Sequence, residues 1–455
     1  MTQDLHDRVL AVLPEVRVAL ESLVRIRSVS ADPARMDDVR RSAEAVAALA
    51  RASGFIDVTI SSAEGGMPAV VGRIPAPAGQ PTVLLYAHHD VQPTGDPASW
   101  TSEPFEPVER VGRLFGRGAA DDKAGVAAHL AAVRAFDGQP PVGVTLFVEG
   151  EEEIGSPTLV AFLTEHHDLL AADAMVLADS GNLAVGQPAL TTTLRGFVDC
   201  VVEVRTLDHA VHSGMFGGPV PDALTVLDRL LTTLHDENGD VAVRAGYAPD
   251  EPGEVLDYPA ERLRAESGLL PGVDLVGTGP LAARLWLRPS ISVIALDAPA
   301  VADASNTLIP AARAQVSMRI PPGVDENVAL DGLRRHLLEH VGWGARVEVS
   351  DGRAAPPGRV DAHGPVFDAA RAAFAQAWGV EPVDIGVGGS IPFVAAFQDA
   401  FPHASILVTG VEDPDSRAHG ADESLHLGEF ENVCLAEAAL LQRLADLGDL
   451  SPSAP

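Results

Sequence analysis

Apolar and polar positions change their spacing twice along the chain. Residues 4–27 repeat their apolar positions every three to four residues, the period of an amphipathic helix, with Pro14 as a possible break or restart. Residues 37–53 repeat in the same way and are closed by Gly54, the residue favoured just past a helix end. Shorter runs at 55–61 and 69–74 predict strands. Thr82–Ala87 and Val142–Val148 are continuous apolar runs with β-branched residues, the pattern of buried strands. Ala174–Ala178 is a third such run, and the stretches 124–136 and 157–166 between them predict helices. Strands alternating with helices in this way predict an α/β sheet.

Near Thr193 the pattern shifts. Gly196–Arg205 alternates like a half-exposed strand, followed by a helix at 221–234, strands at 291–296 and 313–320, a helix at 327–341 and a strand at 346–350. This β-α-β-β-α-β order matches the split βαβ, ferredoxin-like unit. Residues 236–287, rich in Gly, Pro and acids, read as irregular. From Gly364 the first pattern resumes, with helices to Trp378, after G-G-S-I-P and over 429–444, and a strand at 404–409. The predicted fold class is α/β: a mixed-sheet domain, residues 1–192 and 353–455, interrupted by an α+β domain, residues 193–352. The tail S-P-S-A-P reads as disordered.

Charge narrows the partners. With 32 basic and 64 acidic residues the net charge is −32, which argues against nucleic acid or an anionic membrane surface. No stretch reaches the ~18 apolar residues of a membrane span. The N-terminus carries acids and no apolar core, so it does not read as a signal peptide. Two cysteines, Cys200 and Cys434, are too few for a disulfide framework, and a cytoplasmic location is expected.

The chemistry gathers at strand ends. His88 and Asp90 stand two apart after the Thr82 run, on one side of an extended chain. They read either as a metal-binding His with its carboxylate partner or as a strand-end His beside a surface acid. Asp121-Asp122 follow a Gly-rich turn; one of them reads as a helix N-cap, and a second carboxylate there can bridge two cations. Glu149, Glu151, Glu152 and Glu153 crowd the end of the Val142 run. Carboxylates so close stay ionised together only beside a cation. Glu152 and Glu153 diverge as chain neighbours, so one can serve a metal and the other a water. Asp179 ends the next strand, and His419 lies in a late loop. Each alone reads as a turn or surface residue. Together, two His and three carboxylates on strand ends and loops of one sheet are what a two-cation site requires.

Six stretches carry a family resemblance: Y-A-H-H-D-V-Q-P, G-R-G-A-A-D-D-K, E-G-E-E-E-I-G-S, V-H-S-G-M-F-G-G, G-G-S-I-P and A-H-G-A-D-E, in this order from about residue 84 to 423. The chain resembles the M20 metallopeptidases, in their carnosinase-like dipeptidase branch. The resemblance implies a dinuclear dipeptidase acting on peptides with a free C-terminal carboxylate, and a homodimer formed through the inserted domain. His88 and Asp179 would bind one metal, Glu153 and His419 the other, with Asp121 bridging them. Asp90 would orient His88, and Glu152 would be the general base. His212, which directly precedes S-G-M-F-G-G, would stabilise the oxyanion in the neighbouring subunit's site; His209 stands three residues earlier. Asn306 or Thr307, Arg319 and Ser390 would hold the substrate, the last two at its carboxylate. A cis peptide between Asp121 and Asp122 is also implied. Zinc suits the mixed His/carboxylate set, and manganese fits as well.

Gly386-Val387 stand where the carnosinase-like branch has Arg-Glu, a departure that bears on the carboxylate pocket. The same site would serve an N-acyl amino acid deacylase, and a non-catalytic metal-binding scaffold is the rival from another class. His336-Leu337-Leu338-Glu339-His340 matches the H-x-x-E-H zinc motif but adjoins Arg334 and Arg335 in the inserted domain. There is no G-x-S-x-G, and Lys123, the only lysine, is followed by Ala rather than the Ser or Thr of a P-loop.

Overall fold

The computed structural model describes residues 2–247, 255–389, 392–448 and 450. The chain forms two compact units. The first comprises Met1–Thr192, Val360–Ile385 and Pro392–Pro455; the second comprises Thr193–Arg359 and Gly386–Ile391.

In the first unit the apolar runs become the middle of a mixed sheet. Its strands run in the order Ile56–Ser61, Ala69–Ile74, Gly143–Glu149, Thr82–His88, Ala174–Leu177, Ser405–Val408 and Ala189–Leu194. Thr82–His88 is parallel to both its neighbours. Every residue of Gly143–Glu149 is buried, which explains why that run is apolar throughout rather than alternating. Ser405–Val408 inserts between two strands of much earlier sequence. The helix Lys123–Arg134 packs on Thr82–His88 and against the helices Gln3–Val24 and Leu427–Leu447. Elsewhere Tyr86 meets Phe393 at 4.6 Å between ring centroids, and Phe147 stacks on Phe162 at 5.1 Å.

Pro14 lies inside the helix Gln3–Val24 and does not break it. The buried face of Leu5, Val9, Val16, Leu20 and Leu23 outweighs the one lost backbone bond.

The second unit is a four-stranded antiparallel sheet in the order Ser290–Asp297, Ala311–Ile320, Gly196–Arg205, Arg346–Ala355. With the helices Ala223–Thr232 and Glu326–His340 it gives the β-α-β-β-α-β order read from the sequence. Alternate strand residues, among them Val198, Cys200, Val202 and Val204, form a core with Leu227, Leu230, Leu333 and Leu337. The last strand runs to Ala355 rather than 350, because its pairing with Gly196–Arg205 continues past an irregularity at Asp351–Ala354. The stretch read as irregular contains two short helices, Ala260–Ser267 and Leu281–Trp286. At eight and six residues they are too short to show a period. The H-x-x-E-H pair is absorbed structurally: the His336 and His340 rings stack at 4.0 Å, and His336 Nε2 bonds to the Thr233 hydroxyl at 3.0 Å. Among the described residues no helix is long and apolar enough to cross a membrane.

Candidate metal centre

The candidate ligands in the first unit sit at strand ends and in the loops that follow strands. His88 is the last residue of its strand, and its backbone N–H donates to Asp122 Oδ2 at 3.1 Å. The other oxygen of Asp122 caps the helix Lys123–Arg134 by accepting from Gly125 N–H. Asp122 is thus the capping acid, which leaves Asp121 facing the cluster. The peptide between these two residues is cis. Glu152 and Glu153 lie in a short 3₁₀ turn after Gly143–Glu149, closed by Gly155 at φ +86°. Asp179 follows Ala174–Leu177. His419, at φ +62°, comes from the loop after Ser405–Val408 and stays exposed.

Asp121 stands between two groups of donors. Its Oδ1 is 3.0 Å from His88 Nε2, which is itself 3.7 Å from Asp179 Oδ1. Its Oδ2 is 3.0 Å from His419 Nε2, which is 3.1 Å from Glu153 Oε2. Donor atoms of His88, Glu152 and Asp179 lie within 4.8 Å of one another, and so do those of His88, Asp121 and Glu153. Glu152 therefore reaches the cluster alongside the other carboxylates. His88 Nδ1 lies 3.1 Å from the Asp90 carbonyl and 3.4 Å from Asp90 Oδ1.

The electrostatics show what the cluster lacks. Burial works against a charged His88, yet Asp179, Asp121 and Asp90 overcome it and push its pKa well up. Hydrogen bonds to Asp121 and Glu153 push His419 up to about 11. Burial, then Asp179, raises Glu152 well above the usual carboxylate range; burial and Asp121 raise Glu153 to about 7. Burial also raises Asp121, but its two histidine contacts outweigh this and hold it below the usual range. The carboxylates outnumber the positive charges, and protons collect on both kinds of group. A divalent cation on each side of Asp121 would relieve that imbalance, and nitrogen with carboxylate oxygen is a donor set that zinc and manganese accept.

Two supporting residues, Gln92 and Glu423, were not singled out from sequence. Gln92 donates its backbone N–H to Glu153 Oε1 at 3.0 Å and its side-chain amide to Oε2 at 2.8 Å. Its place two residues beyond Asp90, in H-H-D-V-Q-P, was the available signal. Asp90 accepts from the N–H groups of Glu152 and Glu153 at 3.2 and 3.1 Å. Glu423, inside A-H-G-A-D-E, accepts from Arg117 Nη1 and from the N–H groups of Gly118, Ala120 and Asp121.

In the second unit, His212 pairs in register with Thr307, and Ser213 N–H donates to the Asn306 carbonyl at 2.9 Å. Three residues proposed for substrate contact are thereby neighbours. His212 is exposed, and its Nδ1 accepts from Gly214 N–H at 3.0 Å. His209 is exposed and pairs with Asp208. Arg319 lies 5.5 Å from the Phe197 ring centre. Ser390 lies outside the described residues. The glycine at 386 has a steric reason: a Cβ there would come within 2.4 Å of Trp286 Cβ and 2.5 Å of the Thr193 hydroxyl. Beside it, buried Arg195 donates through Nε to the Gly388 carbonyl and through Nη1 to the Ser290 hydroxyl; burial lowers its pKa to about 10.

Residues 84–445 match the model of peptidase family M20/M25/M40. The chain is 37% identical over 393 residues to the cysteinylglycine-S-conjugate dipeptidase of Corynebacterium striatum, covering 85% of this chain and 86% of that one. It is 29% identical to the Beta-Ala-His dipeptidase of Rattus norvegicus over 84% of this chain and 80% of that one. In fold it is similar to the dipeptidase Dug1p of Saccharomyces cerevisiae, with a TM-score of 0.81 at 24% identity over 97% of this chain and 98% of that one. Human carnosine dipeptidase 1 matches with a TM-score of 0.79 at 24% identity, over 97% and 98%.

Proposed function

The chain belongs to peptidase family M20/M25/M40, and from that premise we propose that it is a two-metal dipeptidase cleaving dipeptides with a free C-terminal carboxylate. The observation that carries this is Asp121, whose two oxygens face two separate groups of donors. His88 and Asp179 would hold one cation and Glu153 and His419 the other, with Asp121 shared. Zinc, or manganese in its place, would supply Lewis-acid polarisation of the peptide carbonyl and a water of lowered pKa. Glu152 takes a proton from the attacking water and returns it to the leaving amine. Its carboxylate makes no hydrogen bond or ion pair with another described residue, and its raised pKa suits a group that must both accept and release a proton. Asp90 fixes this residue by holding the Glu152 and Glu153 backbone N–H groups.

The second unit is assigned the substrate's other end and the oxyanion. Because His212 Nδ1 already accepts from Gly214, its neutral ring carries the proton on Nε2, ready to donate to a developing oxyanion. We assign that His212 to the site of a partner subunit in a homodimer. The outer strand Ser290–Asp297 supports such pairing: it bares Val293, Ile294 and Leu296, at 46%, 51% and 51% exposure, along a free sheet edge. Arg319, with Ser390, is assigned to the substrate carboxylate, which the net charge of −32 would otherwise repel. Cys200 and Cys434 are both buried and neither forms a disulfide, which fits a reducing, cytoplasmic setting.

Glu152→Gln tests the core of the reading. Gln keeps the shape but cannot take the proton, so kcat on a dipeptide falls by ~10²–10⁴ with metal content unchanged. Loss of metal instead would make Glu152 a ligand. Hydrolysis of N-acetyl amino acids in place of a dipeptide panel would make the protein a deacylase.

A further inference from the structure

One buried cation in the second unit has no counter-charge. Arg195 directly precedes the strand Gly196–Arg205 and is 8% exposed. Its backbone N–H donates to the Val387 carbonyl at 3.2 Å. Nε donates to the Gly388 carbonyl at 3.2 Å and Nη1 to the Ser290 hydroxyl at 3.1 Å, with the Arg288 and Arg284 carbonyls at 3.4 and 3.5 Å from Nη1. Nη2 donates to no described residue. A Cβ built on Gly388 would fall 2.9 Å from Nη2, so the glycine keeps the space beside that nitrogen clear.

Ser290 ties Arg195 to a second cation. It stands directly opposite Arg319 in the antiparallel pair, which puts those two side chains on one sheet face, about 5 Å apart at Cβ. Arg319 and the Arg195 guanidinium are thus both neighbours of Ser290. Arg319 lies over the Phe197 ring and makes no hydrogen bond or ion pair among the described residues. Arg353, over the same ring, is paired with Asp199 at 3.0 Å. Arg195 and Arg319 have no such acid, in a chain with 64 acidic and 32 basic residues. Burial and Arg319 lower the pKa of Arg195 to about 10, which still leaves it charged at neutral pH. Holding carbonyls in place needs only a neutral donor, and a buried charge is costly without an anion. The arrangement suits a ligand that brings one.

We infer that Arg195 is a second guanidinium at the C-terminal carboxylate of the substrate, with Nη2 taking one carboxylate oxygen and Arg319 the other. The inference rests on the dipeptidase reading, in which Arg319 and Ser390 hold that carboxylate. It makes the preference for a free C-terminus depend on two cations rather than one.

The test compares alanylglycine with alanylglycinamide, which differ in the C-terminal carboxylate alone, on the metal-loaded wild-type enzyme and its variants. Wild type prefers alanylglycine. Arg195→Met raises KM for alanylglycine ~10–100-fold, the loss of one charge-assisted hydrogen bond, with kcat within threefold, and lowers the preference over the amide by the same factor. Arg195→Lys, which keeps the charge, retains part of that preference. Arg319→Met lowers the preference but leaves ~10-fold, the share held by Arg195. Equal loss on both substrates in Arg195→Met, or loss on neither, would overturn the assignment. Complete loss of the preference in Arg319→Met would overturn it as well, and this arm holds even if Arg195→Met does not fold. Equal wild-type turnover of the two substrates would overturn the assignment and leave the peptidase activity standing. A wild-type enzyme that cleaves no dipeptide at all would instead overturn the dipeptidase reading, and this assignment with it.

Discussion

Asp90→Asn removes one charge from a side chain that supports both His88 and the turn carrying Glu152 and Glu153. Asp90 is fully buried, accepts from the N–H groups of Glu152 and Glu153, and lies 3.4 Å from His88 Nδ1. Asparagine has one acceptor oxygen. It can satisfy one of the two N–H groups, and its own amide then points a donor at the other. A hydrogen bond to a charged acceptor contributes ~1.5–3 kcal/mol, a neutral one ~1, and a buried N–H left unmet costs ~1–3 kcal/mol. The loss of one bond outright and the weakening of the other come to about 3–4 kcal/mol, concentrated in the turn that presents Glu152 and Glu153. The turn relaxes to recover part of this, so the displaced ligands take up the rest. Apparent metal affinity should fall ~10–100-fold, the usual effect of removing a ligand's support, and the metal-free protein should melt several degrees lower. Buffered metal titration by calorimetry with parallel thermal melts measures both. Wild-type affinity together with a wild-type melting temperature would show that Asp90 does not hold the turn, and the account of its role would fail.

Other outcomes follow from single residues. Lys123 is fully buried, donates to the Leu23 and Ile26 carbonyls, and burial lowers its pKa to about 7. As the only lysine it gives one side-chain resonance in selectively labelled protein, with a midpoint near 7; a midpoint near its ordinary 10.5 would refute the effect of burial. Because the unfolded chain keeps this proton up to about pH 10.5, Lys123's contribution makes stability rise with pH between about 7 and 10.5. Gly410→Ala would set a Cβ 1.6 Å from the Ser180 carbonyl, so it should push apart the segments carrying Asp179 and Glu412 and lower both stability and metal binding, read by melts and metal analysis. Mixing inactive Glu152→Gln with inactive His212→Ala protein should restore activity after subunit exchange; proven heterodimers without activity would place His212 in its own subunit's site or outside the chemistry.

What could be read from sequence was local. Thr82–His88 and Gly143–Glu149 announce themselves because they are buried on both faces, and the residues just past such strands were the ones to inspect. His88, Glu152, Glu153 and Asp179 were found in that way, and Asp121 from its place between a Gly-rich turn and a helix. His419 was not local. It meets Asp121 and Glu153 from nearly three hundred residues away, and its pairing with Glu153 came only from the family resemblance. The same limit hid the donors to Glu423 and the insertion of Ser405–Val408 between Ala174–Leu177 and Ala189–Leu194. Periodicity marks which faces are buried, and carries no record of which strand lies beside which. Gln92 and Arg195 escaped for another reason: their type is ordinary, and only distances reveal what they hold or leave unheld.

That inserted strand has a consequence for how the protein is made. Ala174–Leu177 leaves the ribosome early, but the partner that covers one of its edges, Ser405–Val408, is encoded 228 residues after Leu177. At roughly 5–20 residues per second, translation of that gap takes roughly 10–50 s. Throughout it Met175, Val176 and Leu177 present an apolar edge, the kind of surface that nucleates aggregation. His419 and Glu423 come later still, so a nascent chain ending before them has no complete metal site and gains nothing from available metal. Chaperone occupancy should therefore peak while the inserted segment is being translated, and a stalled chain ending between residues 180 and 400 should be the most aggregation-prone species this gene produces.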